Sequence, residues 1–133
     1  MRRLAAIIAA WNRAAQDWDP AALTRLYSQD AVLFGGRPGL ASGNAAIAAY
    51  FESYRGVILS ASLDLSDQTL LDVGENALLA QGFGLFAFVL AGGKPTRQEM
   101  RTTLLLDWSS GETLIRAHHF SPVPAAPPLG DQT

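Results

Sequence analysis

The stretch NALLAQGFGLFAFVLAGG, residues 76–93, is the most informative about the fold, because it is apolar at almost every position and stops at a Gly-Gly pair. Along a strand, side chains point alternately to the two faces of the sheet. One face would carry Leu79, Phe83, Leu85 and Val89, and the other would carry Leu78, Phe86, Phe88 and Leu90. A sheet with one face in water shows polar residues on that face. Both faces of this strand are therefore expected to be covered.

Three further strands surround this stretch. ILSASLDLSDQTLLDVG (58–74) precedes it, and KPTRQEMRTTLLLDWSSG (94–111) and ETLIRAHHFS (112–121) follow it. Short turns containing glycine separate the four segments, which is typical of an antiparallel meander. We assign the face of residues 76–93 that carries Phe86 and Phe88 to the outside of the sheet. We expect a partner subunit to cover this face, as in a homodimer.

The first half of the chain has the spacing of helices. Apolar residues recur every three or four positions over residues 2–16, so we expect a retained first helix and no cleaved signal peptide. Asp19-Pro20 predicts the start of a second helix that ends near Tyr27 or Ser28, and residues 42–54 predict a third. DAVLFGG (30–36) predicts a short strand. Helices that cover one face of a sheet give an α+β fold.

Composition limits the possible partners. The ten basic and twelve acidic residues are interspersed, which argues against a nucleic-acid or anionic-membrane surface. Cysteine is absent, so disulfides, thiolate metal sites and a cysteine nucleophile are excluded. No segment has the roughly 20 apolar residues of a membrane span. We expect a cytoplasmic protein with one domain over residues 1–124 and a flexible, Pro-rich tail over residues 125–133.

Three motifs in this order resemble the nuclear transport factor two-like superfamily. They are D-x-x-A-L-x-x-L-Y-S-x-D-A-V (19–32), GNAAIAAYF (43–51) and HHFSPVP (118–124). The last is similar to the close of SgcJ/EcaC-like members and of the calcium/calmodulin-dependent kinase II association domain. The resemblance covers roughly residues 4–124. It implies the cone-shaped fold shared with ketosteroid isomerase and SnoaL-type cyclases, in which three N-terminal helices pack on a curved, mainly antiparallel sheet.

The resemblance also implies a funnel between the helices and the sheet. Aromatic residues are its expected walls, and the candidates are Trp11, Trp18, Tyr27, Phe34, Tyr50 and Tyr54. A mostly apolar cavity with a few polar groups is the usual form of a ligand site. The alternative is that these aromatic side chains simply fill a core.

Ketosteroid isomerase chemistry does not fit the residues at the corresponding places. It requires a carboxylate base and an oxyanion hole made by a tyrosine and a protonated acid. The resemblance puts the base near Phe34 or Gly35, the tyrosine near Ala9 or Ala10, and the acid near Thr102 or Thr103. None of these residues supplies the required group. The sequence therefore argues against isomerisation by that mechanism.

The chain has two histidines, and they are adjacent near the end of the last strand. Simple alternation puts Ile115, Ala117, His119 and Ser121 on one face, which we assign to the cavity. Arg101 and Thr103 on the preceding strand would then meet His119 near the mouth of the funnel. Arg101 could supply a cationic fork and His119 a donor or base, so these two are the candidate catalytic residues. The alternative is a structural His119 and an Arg101 that pairs with a neighbouring carboxylate.

The opposite face of the last strand is assigned to the dimer interface. The residues expected there are Phe86, Phe88, Arg116 and His118. Histidines on opposite faces cannot share a metal ion, so we predict no metal site and no cofactor. The favoured function is small-molecule binding in an aromatic pocket, with possible catalysis on a polycyclic or carbonyl- or carboxylate-bearing substrate. The alternative is a non-catalytic association module.

Overall fold

Three helices cover one face of a six-stranded sheet in the computed structural model, which describes residues 2–132. The elements are α1 (Arg2–Gln16), α2 (Pro20–Thr24), β1 (Tyr27–Phe34), β2 (Ala41–Ser42), α3 (Asn44–Glu52), β3 (Ile58–Asp72), β4 (Ala77–Leu90), β5 (Lys94–Asp107) and β6 (Leu114–Pro122). The strand order is β2-β1-β6-β5-β4-β3, and only the β1–β6 pair is parallel. The predicted α+β class and the antiparallel meander of β3 to β6 are confirmed.

The helices form where the sequence predicts them. The residues of α1 that are buried against the sheet are Leu4, Ile7, Trp11 and Ala15, at the three- and four-residue steps of one helical face. At α2, the Asp19 carboxylate accepts a hydrogen bond of 3.1 Å from the Ala22 N–H, and Pro20 occupies the first turn. The second helix is shorter than expected, because Tyr27 already belongs to β1, where it lies opposite Ile115.

The two faces of β4 are the reverse of the assignment made from the sequence. Phe86 is 2% exposed and contacts Trp11 of α1 edge to face, whereas Phe83 is 38% exposed on the outside. Alternation separates the two sets correctly, but it does not say which set faces the helices when both are apolar. The prediction that Phe86 and Phe88 form an outer interface is wrong. The outward apolar residues of β4 are Leu79, Phe83, Leu85 and Val89.

A bulge in β6 reverses the two histidines. Leu106 lies opposite Ile115 and Leu105 lies opposite Ala117, so Arg116 is an extra residue with no partner on β5. Such a bulge shifts the alternation of the strand by one position. Ile115 faces the helices as predicted, but after the bulge His118 also faces them and is 2% exposed. The placement of His118 at an outer interface and of His119 in the cavity is therefore wrong.

The sheet edge and the tail complete the description. Asn12 of α1 lies beside the edge strand β3, where its side-chain amide donates to the Leu63 carbonyl and accepts from the Leu63 N–H. Residues 123–132 are exposed and contain no helix or strand. None of the helices within residues 2–132 is long and apolar enough to cross a membrane.

Candidate functional site

A cavity of about 170 Å³ lies between the helices and the inner face of the sheet. Its walls are Trp11, Trp18, Gly36, Tyr50, Phe51, Tyr54, Ile58, Phe86, Phe88, Met100 and Phe120. Helices α1 and α3 and the loops after them supply one side, and strands β3, β4, β5 and β6 supply the other. The lining is almost entirely apolar, and the hydroxyls of Tyr50 and Tyr54 are its main polar atoms.

The rings that form the walls hold one another in place. Tyr54 contacts both Trp18 and Tyr50 edge to face, with ring centroids 6.1 Å and 5.4 Å apart. On the sheet side, Phe86 stacks on Phe88 at 6.0 Å and contacts Phe120 at 4.9 Å. Aromatic contacts of this kind add stability beyond the burial of their surface. The walls are therefore built from mutually packed rings, which makes the cavity a fixed feature of the fold.

The loop after β1 lies at the rim of the cavity. The Gly36 N–H donates a hydrogen bond of 2.9 Å to the Tyr50 hydroxyl. Arg37 lies 4.2 Å above the Tyr54 ring and donates to the Ser53 carbonyl at 3.1 Å. Gly35 has no room for a side chain, because a Cβ there would clash with Tyr50 Oη and lie 2.8 Å from Phe120 Cζ. The glycines allow the backbone to cross directly over the tyrosines.

A buried polar cluster lies behind the inner wall. The Trp11 indole N–H donates to the Tyr27 hydroxyl at 3.2 Å, and that hydroxyl is 2.8 Å from His118 Nδ1. Burial raises the pKa of the Tyr27 hydroxyl above its ordinary value and lowers the pKa of His118 to about 3. Both side chains are therefore neutral near pH 7.

The hydrogen bonds leave His118 with one ring nitrogen paired and one unpaired. The Tyr27 hydroxyl accepts from Trp11 and pairs with His118 Nδ1, where the donor is set by the tautomer of the imidazole. Within residues 2–132, His118 Nε2 and Thr102 Oγ1 are buried without a hydrogen-bond partner. Neither His118 nor Tyr27 lines the cavity, but both contact residues that do, since Tyr27 is bonded to Trp11 and the His118 ring lies 5.1 Å from Phe120.

The structure brings most of the predicted aromatic residues to one place. Trp11, Trp18, Tyr50 and Tyr54 line the cavity, and Tyr27 lies directly behind Trp11. Phe34 does not belong there, because it is 43% exposed and packs against His119 on the other side of the sheet. The role of these residues in ligand binding stays a prediction.

Several lining residues were missed by the sequence reasoning. Phe51, Ile58, Phe88, Met100 and Phe120 line the cavity. Phe88 and Phe120 were assigned to the outer faces of their strands, through the reversed face of β4 and the bulge in β6. Phe51 lies in the predicted third helix, but its position in the sequence does not distinguish a lining residue from one that only packs.

Arg101, Thr103 and His119 do converge, but on the outer face of the sheet. They line an open hollow of about 590 Å³ together with Asp67, Thr69, Gln81, Gly82, Phe83, Thr102 and Ser121. The prediction that they meet inside the funnel is wrong, because their strand positions face away from the helices. Asp107 pairs with Arg116 rather than with Arg101. Within residues 2–132, no group of three or more histidine and carboxylate side chains could hold a metal ion.

Comparison with known proteins gives a family and a fold. A family model described as a SnoaL-like domain matches residues 4–126. No curated protein matches the chain. Many solved structures do, at low sequence identity, so they support the fold alone.

Three of these structures illustrate the range of proteins with this fold. One from Xanthomonas campestris is described as a calcium/calmodulin-dependent protein kinase II association domain, with 24% identity, coverage of 94% of this chain and 89% of that chain, and a TM-score of 0.84. One from Novosphingobium aromaticivorans is described as a scytalone dehydratase, with 15% identity, coverage of 100% and 95%, and a TM-score of 0.80. A nuclear transport factor two-like superfamily protein from Salmonella enterica has 19% identity, coverage of 98% and 96%, and a TM-score of 0.77. The predicted cone-shaped fold is confirmed.

Proposed function

The chain belongs to the SnoaL-like domain family, and from that premise we propose that it binds a small apolar molecule with a single ring in its interior cavity. The observation that carries the proposal is the almost wholly apolar space of about 170 Å³ between the helices and the sheet. A fold of this kind hosts many functions, so the support for a ligand comes from the cavity and its residues.

The volume of the cavity selects the size of the ligand. An engineered apolar cavity of about 150 Å³ in another protein stays dry and takes up benzene. The cavity here is of that size, whereas pockets for larger ligands occupy about 300–1,000 Å³. A polycyclic ligand would not fit within this volume. We therefore propose a monocyclic ligand in place of the polycyclic one suggested by the sequence.

One polar group at the mouth gives the ligand an orientation. The Tyr50 hydroxyl accepts a hydrogen bond from Gly36, so its own proton remains the donor. Burial raises the pKa of Tyr50 above its ordinary value, which keeps that proton in place. A ring that carries one hydroxyl or carbonyl oxygen would place that oxygen at Tyr50 and the apolar carbons deeper inside.

The lining favours binding over acid–base catalysis. General acid–base chemistry needs a titratable group within hydrogen-bond reach of the substrate. None of the described residues that line the cavity carries a carboxylate, an imidazole or an amine. The relative from Novosphingobium aromaticivorans is described as a dehydratase, but no catalytic role is proposed for this chain on that likeness.

Phenol is a suitable probe, and the three tryptophans provide reporters. Trp18 lines the cavity, whereas Trp108 lies elsewhere, beneath Arg3 at 4.2 Å. We expect phenol to shift the indole N–H resonance of Trp18 in NMR spectra and to leave Trp108 unchanged. Ile58→Phe should fill the cavity and weaken binding at least about tenfold, a loss of about 1.4 kcal/mol. The matched control is Leu59→Phe, because Leu59 is 47% exposed and does not line the cavity.

The proposal fails under two outcomes of this titration. One is the absence of any saturable shift at Trp18 up to the solubility limit of phenol. The other is an equal loss of binding in Ile58→Phe and Leu59→Phe, since a filled cavity and a changed surface would then have the same effect.

An association role is the second candidate, and the outer apolar residues of β4 favour it. Phe83, Leu85 and Val89 are 38%, 36% and 38% exposed in one row on the outer face. The β5 row beside them contains Arg97, Glu99 and Arg101, and the β3 row on the other side contains Asp64. A second copy packed on this face would cover the three apolar side chains, which supports a homodimer.

Light scattering coupled to size-exclusion chromatography tests this association. We expect a dimer at micromolar concentration and a monomer for Leu85→Glu. Leu40→Glu is the control, because Leu40 is 49% exposed in the loop before β2. A monomeric starting protein would exclude the association role.

A further inference from the structure

We propose that the ligand of the interior cavity is a ring carboxylate, whose aromatic ring fills the cavity and whose carboxylate is bound at the rim by Arg37 and Tyr50. This inference rests on the proposed function and names the polar group of its ligand. The rim is on the helix side of the sheet, where Gly36 and Tyr54 line the cavity. A second copy packed on the outer face of β4 would therefore leave it accessible.

The Arg37 side chain is held at the rim by three contacts. Its guanidinium carbon lies 4.2 Å from the centre of the Tyr54 ring. Arg37 Nε donates to Ser53 Oγ at 3.3 Å, and Nη2 donates to the Ser53 carbonyl at 3.1 Å. A cation over the face of an aromatic ring is attracted by the negative face of that ring. The guanidinium thus has a defined place beside a ring that lines the cavity.

Arg37 keeps hydrogen-bond donors for an anion. The two bonds to Ser53 use one N–H on Nε and one on Nη2. The second N–H of Nη2 and both of Nη1 remain, and together they present the fork that matches two carboxylate oxygens. None of the ion pairs within residues 2–132 includes Arg37, and the Glu52 carboxylate, next to Ser53 in the chain, pairs with Arg55 instead. The Arg37 charge is therefore available to a ligand.

The Tyr50 hydroxyl is the second donor of the site. It accepts a hydrogen bond of 2.9 Å from the Gly36 N–H, so its own proton remains to be donated. The Tyr50 ring packs at 5.4 Å against Tyr54, the ring on which Arg37 lies. Burial raises the pKa of Tyr50, and the nearby Arg37 charge acts in the opposite direction. The hydroxyl therefore keeps its proton and lies within the field of the Arg37 cation.

The part of the ligand inside the cavity must be uncharged. None of the described residues that line the cavity carries a charge, and most of its walls are aromatic rings. A second carboxylate or a phosphate group there would be buried without a charged partner, which is costly. A space of about 170 Å³ takes one ring. The ligand class is therefore a single aromatic ring that carries one carboxylate.

Benzoate and benzamide are matched probes, because they have the same shape and only benzoate is charged at pH 7. In NMR titrations of the full chain, we expect both to shift the Trp18 indole N–H resonance, which reports the interior cavity. Benzoate should also shift the Arg37 Nε–H resonance to a larger extent than benzamide does. Benzoate should bind at least about threefold more tightly than benzamide, since an ion pair at an exposed rim adds a modest free energy.

Two arginine variants test the role of Arg37. Arg37→Gln removes the cation and should weaken benzoate binding at least about threefold, while benzamide binding changes by less than about 1.5-fold. The neutral probe detects any movement of the loop, because such movement would weaken both ligands. Arg25→Gln is the control for net charge, since Arg25 is exposed at the end of α2 and does not line the cavity. It should change both affinities by less than about 1.5-fold, because exposed charges far from the rim are screened.

The possible results separate this inference from the proposed function. If neither probe shifts Trp18, the cavity takes no ring, and the proposed function fails together with the inference. If benzamide shifts Trp18 and benzoate binds no more tightly, the cavity binds a ring but the carboxylate site is refuted. Equal losses of benzoate affinity in Arg37→Gln and Arg25→Gln would show general charge attraction and would also overturn the site.

Discussion

The Tyr27 hydroxyl lies 2.8 Å from His118 Nδ1, and this buried hydrogen bond joins the first strand of the sheet to the last. Trp11 donates to the same hydroxyl at 3.2 Å, so the cluster also ties α1 to both strands. Strands β1 and β6 pair in parallel, so no hairpin joins these two strands. The cluster therefore fixes a junction that the chain connectivity does not.

Loss of the Tyr27 hydroxyl should destabilise the fold. Tyr27→Phe leaves His118 Nδ1 and the Trp11 N–H without their partner in a buried place. Such unpaired groups cost about 1–3 kcal/mol each, so we expect a decrease of at least that size in the free energy of unfolding. Urea denaturation followed by circular dichroism measures it. Tyr54→Phe, at the rim of the cavity, should change stability by less than about 1 kcal/mol. Equal effects of the two substitutions would contradict this role for Tyr27.

Stability should fall as the pH decreases from about 6.5 toward 3. Burial lowers the pKa of His118 from 6.5 to about 3 in the folded protein. Between these values the unfolded chain binds a proton that the folded chain does not, so protonation favours unfolding. The contribution of neutral His118 is complete above pH 6.5. It decreases below that pH with a slope approaching about 1.4 kcal/mol per pH unit. Denaturation curves at pH 7.5, 6.0 and 5.0 measure the slope.

Two variants assign the pH dependence to His118. His118→Gln should remove most of the slope above pH 5, whereas His119→Gln should retain it, since His119 is exposed. Hydrogen bonds from Ser28 and Ser109 lower the pKa of Asp30 and Asp107 below 3.8, so these carboxylates lose their contribution only at more acidic pH. If the slope of the unfolding free energy against pH disappears in His119→Gln, the prediction for His118 is refuted.

The sequence predicted the elements of the fold better than their orientation. The 3.6-residue spacing of α1 and the Asp19-Pro20 cap identified helices that the structure contains. The alternation of β4 separated its two faces, but both are apolar, and only contact with Trp11 makes the Phe86 side the inner one. The bulge at Arg116 leaves no clear signal in the sequence, because it arises from the pairing of β6 with β5.

The same bulge limited the prediction of the site. Arg101, Thr103 and His119 were grouped correctly, because all three are outward residues of adjacent strands. The group was assigned to the inside because its face begins with the small, apolar residues Ile115 and Ala117, but only Ile115, which precedes the bulge, faces inward. His118 then appeared to face outward, so its hydrogen bond to Tyr27 could not be predicted.

Two glycines in the loop over the cavity should differ in their tolerance of a side chain. In Gly35→Ala, the new Cβ would clash with Tyr50 Oη and approach Phe120 Cζ to 2.8 Å. Tyr50 would have to move and lose its bond from Gly36, at a cost of about 1–3 kcal/mol. Gly39→Ala meets nothing within 4 Å and should be neutral within about 0.5 kcal/mol. Thermal denaturation of both variants tests the comparison, and equal melting temperatures would disprove it.

Asn12 should protect the edge of the sheet. Strand β3 is the last strand of the sheet, and its backbone at Leu63 is paired with the Asn12 side chain through two hydrogen bonds of 3.0 Å and 2.7 Å. An unpaired strand edge is a template for pairing with another chain. Asn12→Leu removes both bonds and should lower stability by about 1–3 kcal/mol while increasing aggregation on heating.

The isosteric substitution Asn12→Asp separates hydrogen bonding from packing. An aspartate can still accept from the Leu63 N–H, but it sets a carboxylate oxygen against the Leu63 carbonyl where the amide donated. We expect Asn12→Asp to be destabilising above the pKa of the new carboxyl and to recover when that carboxyl is protonated, since it then donates again. Hydrogen exchange at the Leu63 amide reports the edge directly. If that amide exchanges equally slowly in wild type, Asn12→Leu and Asn12→Asp, packing of α1 alone protects the edge and the hydrogen bonds are not needed.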